Sequence, residues 1–188
     1  MKKKIMIIVL LATLLIGYFF FVNEYQAKSI EEALDTPNQS IYEVIHIEDL
    51  DGSHFVVGKS GDYLYTAVVN QIFGRYKIVY SGVHGDIDKV TEVFGITDSY
   101  FPGVKYVSKP ILYGMVGDLE ISRLELYNEK NKAGEDIKIV EKNDFKLWIK
   151  SLENTDDIQY ILKGYNKKGE EIFERNLKFT PREIRSYY

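Results

Sequence analysis

FGRYKIVYSG, residues 73–82, sets Tyr76, Ile78 and Tyr80 at alternate positions, with Lys77 and Val79 between them and Arg75 ahead. Side chains of a strand leave opposite faces in turn, so one-sided alternation marks a half-buried antiparallel strand. A row of rings also suits a platform shown to a partner, because rigid amphipathic aromatics recur at binding hot spots. Sheet cores need the same bulk, and here the core is the simpler account. Tyr76, Ile78 and Tyr80 are expected to face inward, with Arg75 and Lys77 outward.

The segments before this strand have the same character. Ile41 to Ile47 is rich in β-branched and aromatic residues, and Asp51-Gly52 is a hairpin turn signal. His54 to Lys59 follows, then the turn Ser60-Gly61-Asp62, then Tyr63 to Asn70. That last segment is apolar on both faces apart from Thr66 and Asn70, as a central strand is. With Arg75 to Ser81 it completes an antiparallel meander.

Beyond it, Asp86 to Phe94 changes period. Val90, Val93 and Phe94 lie on one helical face, Asp88 can cap the start, and Gly95 can end it, which predicts a short helix. Residues 96–110 read as irregular, with a turn at Phe101-Pro102-Gly103. Strands resume at Ile111 to Val116, Glu120 to Tyr127, Ile137 to Glu141 and Phe145 to Leu152, and the polar stretch Asn128 to Asp136 reads as an exposed loop. In YILKGYNKKGEEIFERNLKF, residues 160–179, Asn166-Lys-Lys-Gly169 separates a hairpin of Ile158 to Tyr165 with Glu170 to Phe179. The polar tail from Thr180 forms no domain. The expected class is mainly β, with α+β as the alternative.

The segments FVVGKSGDYLYTAVVNQIFGRYKIVYSG (55–82), PILYGMVGDLEISRLEL (110–126) and YILKGYNKKGEEI (160–172) carry a resemblance. In this order of strands and turns the chain resembles small membrane-anchored or secreted proteins of Bacillus-like Gram-positive bacteria. The resemblance implies location and architecture. It brings no activity and no site residue.

Location is also legible at the N-terminus. Lys2, Lys3 and Lys4 precede an uncharged run from Ile5 to Val22. As a helix this run is about 27 Å long, close to the hydrocarbon thickness of a bilayer. Cleavable signals have shorter apolar cores, and the best cut, after Ala27, would place bulky Tyr25 where a small residue is wanted. These features favour an uncleaved single-pass anchor, with secretion after cleavage as the alternative. The lysines keep the N-terminus in the cytoplasm and send the rest outward. Residues 1–4 are then cytoplasmic, 5–22 span the membrane, 23–37 form a juxtamembrane linker and 38–188 form the extracytoplasmic domain. Ser29-Ile-Glu-Glu32 fits a capping box within the linker, and Pro37 follows it.

Setting Lys2, Lys3 and Lys4 aside leaves 21 basic residues against 28 acidic, a net charge of −7 outside. Nucleic acid and anionic headgroups repel such a domain, so the rings are not a nucleic-acid reader. With no cysteine, disulfides and thiolate metal sites are excluded.

Candidate chemistry is sparse, and no catalytic, cofactor-binding or metal residue is assigned. His46, His54 and His84 lack the spacing of a metal site, although His46 and His54 fall on facing segments of one hairpin. Asp86 and Asp88 suggest calcium, but an EF-hand loop counted from Asp86 places Thr91 and Thr97 where Gly and Glu are needed. Ser60 and Ser81 precede glycines as turn residues do, and Gly114-Met-Val-Gly117 lacks the ending of a phosphate loop. Carboxylates brought together only by folding would leave no spacing to find. The expected role is therefore non-enzymatic binding of a protein or cell-envelope component beside the membrane. The alternatives are an envelope hydrolase and an immunity-type inhibitor acting through the acidic surface.

Overall fold

The computed structural model describes residues 2–24, 27–36, 39–40, 43–50, 52–87, 95–101, 109–130, 132–142, 145–152 and 158–179. An apolar helix, α1 (Lys2–Glu24), leads into a β-rich domain. The helix is long and apolar enough to cross a membrane, a property that signal sequences share. All its side chains are exposed except Phe21, which is partly covered.

The next helix, α2 (Ile30–Leu34), is capped by Ser29 as expected, while the reciprocal bond of the capping box falls one residue earlier, on Lys28. Ser29 Oγ accepts from Glu32 N at 3.1 Å, and Glu32 Oε2 reaches back to Lys28 N at 2.6 Å. A two-residue ladder, β1 (Asp35–Thr36) with β2 (Gln39–Ser40), follows.

The expected meander is present as β3 (Glu43–Leu50), β4 (Ser53–Ser60), β5 (Tyr63–Ile72) and β6 (Arg75–Asp86), paired antiparallel in chain order. Gly52, Gly61 and Gly74 all take positive φ at its turns, where a side chain would be strained. The predicted helix over Asp86 to Phe94 has Asp86 ending β6, and its remainder from Asp88 lies outside the described residues.

The second sheet has seven strands. They are β7 (Ser99–Phe101), β8 (Ile111–Met115), β9 (Arg123–Asn128), β10 (Ala133–Lys142), β11 (Phe145–Ser151), β12 (Ile158–Tyr165) and β13 (Glu171–Phe179), in the order β13-β12-β9-β10-β11-β8-β7. Strand β10 joins two halves: residues 133–137 pair with β9, and residues 138–142 pair with β11. Its first half corrects the loop expected over Asn128 to Asp136. Ala133 to Asp136 are exposed yet laddered to Asn128 to Glu125, so polarity here marks a solvated strand. The β12–β13 turn is as expected: Asn166 Oδ1 accepts from Lys168 N and Glu170 N, and Gly169 has φ 82°.

Three apolar clusters hold these layers together. The first lies between the two sheets, where Phe55, Val57, Leu64 and Val68 meet Phe101, Ile111, Tyr113, Met115, Leu147 and Ile149. The second joins the halves of the larger sheet: Leu112, Val116, Trp148 and Leu152 meet Leu124, Leu126, Ile137, Leu162 and Leu177. Alternation along β8 and β11 thus feeds two cores, which makes this the middle layer. The third covers the outer face of the meander, where Ala27, Ala33 and Leu34 pack on Val56, Ala67 and Val69. Residues read from sequence as a linker therefore supply core side chains.

This third cluster corrects the reading of the opening strand. Tyr76 and Ile78 pack against it, under α2. Tyr80 does not share their face. Val68 pairs with Tyr80 and Val69 with Ile78, so Val79 is the extra residue of a β-bulge. Val79 itself packs on the first cluster, and past the bulge the Tyr80 ring lies 4.9 Å from that of Phe101. The single tyrosine row is split between two faces.

Candidate functional site

A second bulge in β6 builds one wall of a concavity with polar lining. Tyr63 pairs with Asp86 and Tyr65 with Val83, so His84 and Gly85 together oppose Leu64. Gly85 has φ 99°, a backbone state that disfavours a side chain. Bulges re-aim side chains, and this one turns His84 toward the middle layer. There its Nε2 lies 2.8 Å from Thr66 Oγ1 and 2.5 Å from the Tyr113 hydroxyl. The His84 and Tyr113 rings meet edge-on, with centroids 5.0 Å apart.

His84 and Tyr113 line a pocket of about 250 Å³ where the meander, the middle layer and β13 converge. Leu64, Ile87 and Met115 supply apolar wall, while Asp86, Asp98, Ser99 and Arg175 supply polar wall. Arg175 reaches across from β13, donating to Asp98 Oδ1 at 2.8 Å and to the Ile96 carbonyl at 2.9 Å.

The electrostatics combine neutral hydrogen-bonding groups with an Arg175–Asp98 ion pair and the Asp86 carboxylate. Burial pushes the His84 pKa below its ordinary value, which keeps the imidazole neutral near pH 7. Burial also pushes the Tyr113 hydroxyl up to about 12, against hydrogen bonds from Thr66 and Ser99 that lower it. Tyr113 thus keeps its proton, and the donor and acceptor roles of the two hydroxyls at His84 Nε2 follow from the imidazole tautomer. Arg175 faces a carboxylate within hydrogen-bond reach. Such a pocket offers fixed donors and acceptors beside an apolar wall, a combination suited to a small polar molecule.

The histidines considered from sequence are not gathered. His46 Nε2 meets Glu48 at 3.1 Å, His54 Nδ1 meets Asp49 at 2.7 Å, and only His84 enters the pocket. Among the described residues, no group of three or more His, Asp or Glu side chains is placed to hold a metal ion. Asp86 lines the pocket and Asp88 lies outside the described residues. Ser60 and Ser81 are in β4 and β6, and Gly114 is inside β8. Tyr113 and Arg175 escaped sequence reading altogether, because no motif joins residues so far apart in the chain. The one local cue was Ser81-Gly-Val-His-Gly-Asp86, where glycines flank a histidine in a strand extension.

Comparison of the chain with protein-family models, with curated proteins and with solved structures finds no match.

Proposed function

We propose that this chain is a single-pass, membrane-anchored protein whose outward-facing domain binds a neutral, polar component of the cell envelope, such as a sugar or short peptide. The envelope is of the Gram-positive kind that the resemblance implies. The observation that carries the reading is the pocket formed by His84, Tyr113 and Arg175. Its imidazole is kept neutral, its phenol keeps its proton, and its guanidinium is matched by Asp98. Preorganised polar groups beside apolar wall favour a hydrogen-bonding ligand with one apolar face.

Titration of the full chain in nanodiscs with N,N′-diacetylchitobiose and with an N-acetylated, C-amidated alanine dipeptide tests this. Saturable binding is expected with at least one of them, weakened about two- to tenfold by Tyr113→Phe, the cost of one lost hydrogen bond. Affinity unchanged by Tyr113→Phe and by His84→Ala would remove the pocket from the account. The anchor has its own test. Membrane fractions should retain the Lys2–Lys4 peptide on the full chain, and protease outside intact cells should digest the domain.

A second reading is an envelope hydrolase, favoured by the presence of Asp86 and Asp98 in the same pocket. Two convergent carboxylates are what glycoside hydrolysis requires. Turnover of wall polymer that disappears in Asp86→Asn would select this reading over pure binding.

A further inference from the structure

We infer that the turn between β5 and β6 is a second membrane contact, with Phe73 seated in the outer leaflet beside the end of α1. This rests on the reading of α1 as a membrane span.

Phe73 and Gly74 are the central residues of a two-residue hairpin closed by Ile72 and Arg75, with φ 50° and 72°. Positive φ at both positions is the turn type that favours Asn or Asp before Gly, because a bulky side chain is disfavoured there. A phenylalanine stands at this position instead, and it is 93% exposed. In water alone, that choice is unfavourable both for the backbone and for the ring.

The location of the turn supplies the missing partner. The Phe73 ring meets that of Phe21 edge-on, with centroids 5.9 Å apart. Phe21 is the penultimate residue of the apolar run that ends at Val22. In a spanning helix it sits where hydrocarbon gives way to headgroups, and Phe73 lies at the same depth. Two further contacts hold β6 beside the chain leaving the helix. Tyr76 N donates to the Ala27 carbonyl at 3.0 Å, and Lys77 Nζ pairs with Glu24 at 3.2 Å. The turn is thus held against the end of α1 by the Phe21 ring and by two contacts just beyond it, at Glu24 and Ala27.

The contact is apolar in kind. The outward part carries net charge −7, which disfavours attraction to anionic headgroups, so the partner is the acyl boundary of a zwitterionic leaflet. Docked in this way, the domain has a fixed orientation on the membrane.

The absence of cysteine makes the test direct, because each introduced thiol is the only labelling site. Full-length Phe73→Cys, Asp62→Cys and Leu14→Cys chains would each carry an environment-sensitive fluorophore in phosphatidylcholine vesicles with brominated acyl chains. Asp62 lies in the turn at the other end of β5, about 36 Å from Phe73 by strand rise. Labels at 14 and 73 should be quenched, with quenching at 73 several-fold above that at 62 and insensitive to salt. Quenching at 14 with a label at 73 no more quenched than at 62 would refute the hairpin contact and leave the anchor standing. A label at 14 that escapes quenching would refute both.

Discussion

Trp148 donates its indole N–H to the Thr97 carbonyl at 2.9 Å, and the approach runs over Gly114. Gly114 pairs with Trp148 across β8 and β11, and a Cβ there would overlap the Thr97 carbonyl and crowd the indole nitrogen. The missing side chain at 114 is what lets a fully buried tryptophan satisfy its one polar atom.

Trp148→Ala should therefore destabilise the domain by about 3–5 kcal/mol, the range for large aromatic truncations. Gly114→Ala adds one methyl group and should cost about 1–3 kcal/mol through overpacking. Urea denaturation followed by circular dichroism measures both. An unchanged midpoint for Gly114→Ala would mean that the segment at Thr97 moves aside freely.

His84 makes stability depend on pH. Burial holds its folded pKa below the ordinary 6.5, so the unfolded chain takes up the proton first as pH falls. Its contribution is complete above the unfolded value and is lost as pH falls through the folded one. Thr66 and Tyr113, which touch the ring, carry no charge in that window. The denaturation midpoint should drop on acidification from about pH 7 to 5, and His84→Asn should flatten part of that drop. An identical slope in the variant would remove His84 as its source.

Tyr113 acts at the other end of the scale. Its folded pKa is raised to about 12, so the unfolded chain loses the proton first as pH rises through 10. Stability should fall above pH 10, and less so in Tyr113→Phe, once that variant's own loss at neutral pH is subtracted.

Leu34 is 1% exposed in the cluster beneath α2. Leu34→Ala should cost about 2–5 kcal/mol, as core leucines do. A chain trimmed to residues 38–188 should likewise melt lower than one that starts at residue 25. Equal melting of the two would show that the segment adds nothing to the folded domain.

Zinc should leave the melting temperature unmoved, since His46 and His54 hold separate carboxylate partners and His84 faces hydroxyls. A saturable rise of several degrees would reveal a site selective for the folded state. Calcium needs a separate titration because oxygen ligands alone suffice. A calcium shift lost in the double variant Asp86→Asn, Asp88→Asn would identify those carboxylates as ligands.

What was legible in the sequence was local. The meander could be read because Asp51-Gly52, Ser60-Gly61-Asp62 and Gly74 mark turns by backbone demands that a few residues state alone. The same holds for Asn166 to Gly169 and for the Ser29 cap. An unbroken apolar run likewise declares a span-length helix without any partner.

The bulge at Val79 has no such signature. It places Tyr76 and Tyr80 on opposite faces while their spacing still reads as one row. The polar residues 133–136 ladder through backbone groups, which side-chain character does not report. The pocket needed still more, because His84, Tyr113 and Arg175 come from strands of different sheets or sheet halves.

The sequence by itself determined an apolar N-terminal helix, a β-rich domain and the absence of thiol chemistry, each set by composition or by neighbours within one turn. Only the tertiary structure decided which face each ring occupies, that Ala27, Ala33 and Leu34 belong to the core, and that His84 meets Tyr113. Those outcomes depend on contacts between residues distant in the chain. Strand register and layer order bring such residues together, and no short stretch of sequence encodes either.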